Sequence, residues 1–207
     1  GEIEIDASEF IYKKDTNVLQ AFNGSAIIKS DNIKINFTQI IIDQKNFTVR
    51  ANQNTEVIDL EKKLVLTTKN LFFNRKKKYI ESDSKSTIKD NSNNILNTEY
   101  FYYDLNKDII KTEKLILKDF NNDTYNIEMA FINAKTNKLF GKDVEINFNG
   151  TSVSKNNKYR LKGKSIKSDE NFTELDKGVF TTCKRREKCP PWQMSAKKVV
   201  HDKNKKT

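Results

Sequence analysis

The sequence predicts an all-β protein made of stacked strand pairs. Three observations carry that expectation. Apolar and polar residues alternate with a period of two, the sign of a half-buried strand. A four-residue segment that starts apolar and usually ends in Asp or Asn recurs about every 30 residues. Clusters of Asn, Asp, Gly and Ser, the residues that build turns, punctuate the alternating runs.

Taken in order, Ile3, Ile5 and Ala7 alternate with Glu4 and Asp6, and Phe10-Ile11-Tyr12-Lys13 follows. Asn23-Gly24 reads as a turn before Ala26-Ile27-Ile28. Ile33, Ile35 and Phe37 alternate with Lys34 and Asn36 and lead into Ile40-Ile41-Ile42-Asp43. Val49 to Ala51 and Leu71-Phe72-Phe73-Asn74 read as further strands. Asp90 to Asn94 reads as a turn, then Phe101-Tyr102-Tyr103-Asp104 as a strand. Ile116-Leu117 and Ala130-Phe131-Ile132-Asn133 flank a turn at Asn121 to Asp123. Val144 to Phe148 alternates and ends at Asn149-Gly150. Turns at Asn156-Asn157 and Asp169 to Asn171 bracket Ile166-Lys167-Ser168-Asp169, and Gln193 to Asp202 is the last strand-like stretch. No window holds a capped stripe of helical period, so long helices are not expected.

The recurring tetrads end at 13, 43, 74, 104, 133, 169 and 202. A unit of about 30 residues holds two strands and their turns. The polar last position marks the strand end. The first and third positions lie two residues apart, on one face of the strand. They pair as Phe10/Tyr12, Ile40/Ile42, Leu71/Phe73, Phe101/Tyr103 and Ala130/Ile132. Seven units predict about 14 strands in two facing sheets around an apolar interior.

Composition narrows the function. The 207 residues include 38 Lys+Arg against 28 Asp+Glu, a net charge of +10. Six Gly and two Pro exclude collagen-like chains, and two Cys exclude a small disulfide scaffold. The longest apolar runs, Tyr100 to Tyr103 and Met129 to Ile132, are far too short for a membrane-spanning helix. Thirteen Phe and seven Tyr argue against disorder. The basic residues are 33 Lys and 5 Arg beside 25 Asn, a balance that AT-rich coding produces; a nucleic-acid reader more often concentrates Arg. The start has neither the basic nor the apolar region of a signal peptide.

Catalytic chemistry has little to draw on, and no enzyme is expected. The lone histidine, His201, has no nucleophile elbow or metal motif beside it, and its place in the last tetrad reads as an inward structural position. Six scattered Gly build no phosphate loop. No metal site or cofactor is expected. Cys183 and Cys189, beside Pro190-Pro191-Trp192, have neither zinc-ligand nor redox-motif spacing and fit a structural disulfide in an oxidising compartment. The residues leave open a bond between them, a bond from one or both to cysteines outside this chain, and two unpaired buried thiols. Basic clusters at Arg75 to Lys78, Lys155 to Lys164 and Lys184 to Arg186 read as solvated faces, or as cations at the mouth of an apolar groove that takes an anionic lipid.

The tetrad repeat, with Phe22-Asn23-Gly24-Ser25-Ala26-Ile27-Ile28, resembles the OstA-like repeats of the lipopolysaccharide (LPS) transport proteins. Gly178 to Cys183, followed by Pro190-Pro191-Trp192-Gln193-Met194-Ser195-Ala196-Lys197-Lys198-Val199-Val200-His201-Asp202, resembles the end of the N-terminal periplasmic domain in the LptD family of LPS-assembly proteins. The resemblance implies a β-jellyroll of stacked V-shaped antiparallel strands over residues 1–180. Residues 181–207 would form a Cys-containing closing segment, a last strand and the start of a linker to an outer-membrane barrel. It implies that LPS from the periplasmic bridge passes through an apolar groove lined by Phe10, Tyr12, Ile40, Ile42, Leu71, Phe73, Phe101, Tyr103, Ala130 and Ile132, on its way to the barrel and the outer leaflet. Implied partners are LPS, the bridge protein LptA at the N-terminal edge near Glu2 to Tyr12, and the chain's own barrel with the lipoprotein LptE. The implied location is the periplasmic face of a Gram-negative outer membrane. Cys183 sits where the family's domain cysteine bonds the barrel. The chain departs from that pattern in lacking a Cys near its start and in carrying Cys189, so a Cys183–Cys189 bridge stays open. Two other readings are a soluble bridge protein of the same fold and a basic β-protein that binds nucleic acid.

Overall fold

The computed structural model describes residues 3–120, 122–149, 159–181 and 193–202. These residues form an all-β, antiparallel structure. The strands are β1 (Ile3–Lys13), β2 (Val18–Ile28), β3 (Ile33–Asp43), β4 (Thr48–Asp59), β5 (Leu64–Asn74), β6 (Tyr79–Ser82) and β7 (Ser86–Lys89). Then come β8 (Ile95–Thr98), β9 (Tyr100–Asp104), β10 (Ile109–Lys118), β11 (Thr124–Asn133), β12 (Leu139–Asn147), β13 (Arg160–Ser168), β14 (Phe172–Thr181) and β15 (Met194–Asp202). A single 3-10 turn, Lys29–Asp31, joins β2 to β3.

The chain divides into two compact units, one of Gly1–Asn91 with Asn97–Ile109 and one of Ser92–Leu96 with Ile110–Thr207. In the first, hydrogen bonding follows the order β1-β2-β3-β4-β5-β6-β9, with β7 also beside β5. In the second the order is β10-β11-β12-β13-β14-β15. Each tetrad ends a strand: β1, β3, β5, β9, β11 and β15 stop at the tetrad's last residue, and β13 stops one residue before it. Where the sequence predicts about 14 strands, two long ones are broken in the middle, into β6 with β7 and β8 with β9, so among the described residues fifteen strands trace thirteen long ones.

In five of the seven tetrads the closing Asp or Asn caps the turn behind it. The Asp43 carboxylate accepts from the Asn46 amide, and the Asn74 side chain accepts from the Lys77 amide. Asp104 accepts from Asn106 and Lys107, Asn133 from Lys135 and Thr136, and Asp169 from Asn171 and Phe172. Four residues after most tetrads the chain turns left-handed, at Asn17, Phe47, Lys78, Asp108 and Asn137. A second left-handed series, Asn32, Lys63, Asn93 and Asn122, marks the turns at the other strand ends. With so few Gly, Asn and Asp fill many of these positions because their short side chains bond locally; Lys and Phe are held there by their neighbours at a cost of about 1 kcal/mol each.

Turns on one side of the first unit stack through backbone bonds: Gln44 N–H to Asn17 O, Arg75 N–H to Phe47 O and Leu105 N–H to Lys78 O. On the other side Leu60 N–H bonds Asn32 O.

The strands are also interrupted near their midpoints. Asn23 in β2, Gln53 and Asn54 in β4, Lys114 in β10, Asp143 in β12 and Lys177 in β14 have positive φ. The β3–β4 register shifts between Asn36 and Gln39, and the β4–β5 register shifts between Asn52 and Thr55, as β-bulges do. Asn23-Gly24, expected as a turn, therefore lies inside β2. Its left-handed residue bends the strand without ending it, because β1 and β3 stay paired on either side. Gly24 is required there. A Cβ would lie 2.1 Å from the Asp6 carbonyl oxygen and 2.7 Å from Ala7.

The bends bring opposite strand ends together in the first unit. An eleven-residue strand such as Ile33–Asp43 is about 36 Å long if straight. Yet Tyr103, next to the turn after β9, donates its hydroxyl to Asp59 at 3.3 Å, on the far end of β4. The sheet of this unit must fold over on itself.

Candidate functional site

Register turns the tetrads into continuous rows. Phe10 faces Ala21, Ala21 faces Ile40, Ile40 faces Ala51 and Ala51 faces Leu71. A second row runs Tyr12, Leu19, Ile42, Val49, Phe73, Ile80 and Tyr103. Facing partners point to one side of a sheet, so both rows line the same face. Beyond the bend a third row, Ile5, Ala26, Ile35, Val57, Leu66 and Ile88, continues the apolar surface. In the first row large and small side chains alternate, Phe10, Ala21, Ile40, Ala51 and Leu71.

In the second unit Ala130, Gly141, Ile166, Leu175 and Val199 form the equivalent first row. Its companion, Ile132, Leu139, Ser168, Thr173 and His201, turns polar from Ser168 onward.

Of the ten expected groove residues, Ile40, Ile42, Leu71, Phe73, Phe101, Tyr103 and Ala130 are buried, and Ile132 is half-buried. Phe10 and Tyr12 differ from the inward pair expected. They share the row's face but are 50% and 53% exposed. The reason is topological: among the described strands β1 pairs only with β2, so no side chains of a next strand flank its own. His201, read as inward, is likewise exposed, because it lies on β15, which pairs only with β14. Cys183, Cys189, Trp192 and the basic run Lys184 to Arg186 lie outside the described residues.

Two features escaped the sequence reading. The first is a seam of buried hydroxyls at the bend. Thr55 donates to Gln53 O, Thr68 to Asn70 O, Ser86 to Ser84 O and Thr98 to Tyr100 O, each two residues away. Thr68 also bonds Ser82 and Ser86, at 2.9 Å each. A bent strand leaves backbone carbonyls without ladder partners, and these hydroxyls supply them. The available signal was Ser or Thr at a position where alternation calls for an apolar residue.

The second is a set of ion pairs between opposite strand ends. Lys78, in the turn after β5, pairs with Asp31, in the turn after β2. Lys62, in the turn after β4, reaches Asp108, in the turn after β9, at 3.0 Å and Asp59 at 3.2 Å. Its ammonium also lies 5.8 Å from the centre of the Tyr103 ring. Burial opposes the charge on Lys62, but contacts with Asp108 and Tyr103 outweigh it and hold its proton more tightly than usual. Burial pushes the Tyr103 hydroxyl up to about 12, against the pull of Lys62.

The chain matches no family model and no curated protein sequence. Among the described residues there is no metal-binding cluster of His, Cys, Asp and Glu, and no helix is long and apolar enough to cross a membrane. In the first unit the geometry offers apolar surface in continuous rows, with polar groups at the bend and the strand ends; in the second unit one of the two rows turns polar. The opposite face of the sheet carries Arg50 over Phe72 at 4.7 Å and the Tyr79–Tyr102 stack at 5.0 Å.

Proposed function

We propose that this chain is a lipid-conducting domain of LPS export and carries out no reaction. The observation that carries the reading is the pair of apolar rows running unbroken across successive strands of a sheet folded over on itself. Such an interior suits acyl chains, for which each Å² removed from water contributes about 25 cal/mol. Its buried charges, Asp31 and Asp59, sit at the strand ends rather than along the middle of the rows. The fold is then a β-jellyroll of V-shaped strands, for which the mid-strand bends and the contact between opposite strand ends speak.

In this role the domain receives LPS from a periplasmic bridge protein, shields its acyl chains and hands it to an outer-membrane barrel for insertion in the outer leaflet. The partners are the LPS lipid, the bridge protein LptA at the exposed edge of β1, and a barrel with the lipoprotein LptE. The setting is the periplasmic face of a Gram-negative outer membrane. An unpaired strand edge with exposed Phe10, Ile11 and Tyr12 is suited to adding a strand from another sheet.

Photo-crosslinking tests the reading. A photoreactive side chain at Leu71 or Phe101 is expected to capture LPS. The same group at outward Phe72 or Tyr102 is expected to capture none. Adducts at the outward positions with none at the inward ones overturn the proposal.

A further inference from the structure

The interior rows are closed in this structure, since Ile40, Leu71, Phe73 and Phe101 are all buried. Anything that enters must first part the folded-over sheet of the first unit. We propose that Lys78–Asp31 and Lys62 with Asp59 and Asp108 are a two-part clasp that holds this interior shut, and that the interior opens by breaking it.

Placement is the main argument. The turns that carry Asp31 and Lys62 stack on one side through the Leu60–Asn32 bond. The turns that carry Lys78 and Asp108 stack on the other through the Leu105–Lys78 bond. Both ion pairs therefore tie one stack to the other, across the seam where the folded sheet meets itself. Backbone hydrogen bonds hold neighbouring strands; these side chains hold opposite strand ends.

Burial adds to it. The Asp31 side chain is only 5% exposed and that of Asp59 7%. Asp59 also accepts from the Glu61 and Lys62 amides and from Tyr103, but a carboxylate that deep needs a countercharge, and losing the lysine removes it. The clasp also touches the interior directly, because Asp59 accepts the hydroxyl of Tyr103, the last residue of an apolar row. Breaking it loosens the wall of that row first. Ion pairs suit this task because water or a charged headgroup can replace either partner, whereas an apolar seam would have to be pulled open against its whole buried area.

That opening admits a lipid rests on the lipid-conducting reading; the clasp itself does not. The test uses the whole chain and two readouts. Amide hydrogen exchange is measured on peptides covering 33–43 and 97–104, with 160–181 as the internal control. Uptake of the fluorescent fatty acid cis-parinaric acid is measured alongside. In a Lys62→Gln/Lys78→Gln variant, exchange in the two first-unit peptides is expected to rise about tenfold with the control unchanged. Probe uptake is expected to rise with it. Exchange equal to that of the unaltered protein overturns the clasp. Faster exchange with no gain in uptake upholds the clasp and overturns the lipid reading. If the double variant does not fold, the charge swap Asp31→Lys/Lys78→Asp decides: slow exchange in the swap with fast exchange in Lys78→Asp alone upholds the clasp, and equal rates overturn it.

Discussion

The hydroxyl seam makes a prediction that depends on partners rather than on burial. Thr68 and Thr112 are both buried, at 6% and 0% exposure. Thr68 donates to Asn70 O and bonds Ser82 and Ser86. The buried Thr112 hydroxyl has no hydrogen-bond partner. Valine replaces threonine at nearly constant volume and removes only the hydroxyl. In Thr68→Val three hydrogen bonds are lost, each worth about 1 kcal/mol net. Ser82 and Ser86 keep bonds to Ser84, which recovers part of that. The Asn70 carbonyl keeps no such substitute from Thr68. The expected cost is about 2 kcal/mol. In Thr112→Val the buried hydroxyl's desolvation penalty disappears, so the change is expected to be neutral or to stabilise by about 1 kcal/mol. Hydrogen exchange of β5 amides reads the first substitution and that of β10 amides the second. Equal costs at the two sites would falsify the reasoning, because burial alone would then explain both.

Three further outcomes follow from the geometry. Gly24→Ala is expected to destabilise the β1–β2 pair by about 3 kcal/mol, since the new Cβ meets backbone that cannot step aside, and exchange in β1 amides should rise well before that in β4. Above pH ~10 the first unit is expected to lose stability, because the unfolded chain releases the Lys62 and Tyr103 protons near their ordinary values of about 10 while the folded chain still holds them. The loss runs from pH ~10 upward through about 12 and should be shallower in Tyr103→Phe; urea midpoints from pH 8 to 12 that are identical for both proteins contradict it. Phe10→Glu/Tyr12→Glu is expected to leave the melting temperature within about 2 °C, because both side chains are already half exposed, while abolishing capture by the bridge protein; retained capture removes β1 as the docking edge.

The repeat was readable because it has a local cause. The closing Asp or Asn of five tetrads caps its own turn within three residues, as Asp43 does for Asn46, so chain-local chemistry puts those strand ends at the right places. The inward parity of Ile40/Ile42, Leu71/Phe73 and Phe101/Tyr103 was readable for the same reason, since alternation is a property of one strand.

The misreadings are all non-local. Asn23-Gly24 has turn composition, yet two neighbouring strands keep it in the ladder as a bend. Phe10, Tyr12 and His201 have the inward pattern, yet they sit on strands with a neighbour on one side only. Thr68 reads as a polar interruption until Ser82 and Ser86 are brought beside it. Lys62 and Lys78 are two lysines among many, and nothing near them in the chain foretells Asp108 or Asp31.

The sequence by itself determined the strand period, the 30-residue repeat and where the tetrad-bearing strands stop, because these follow from contacts within a few residues. Only the tertiary structure decided which inward faces are covered, where the strands bend and which charges close the fold. Those depend on strand order and on contacts between residues some 45 apart, and no local pattern encodes them.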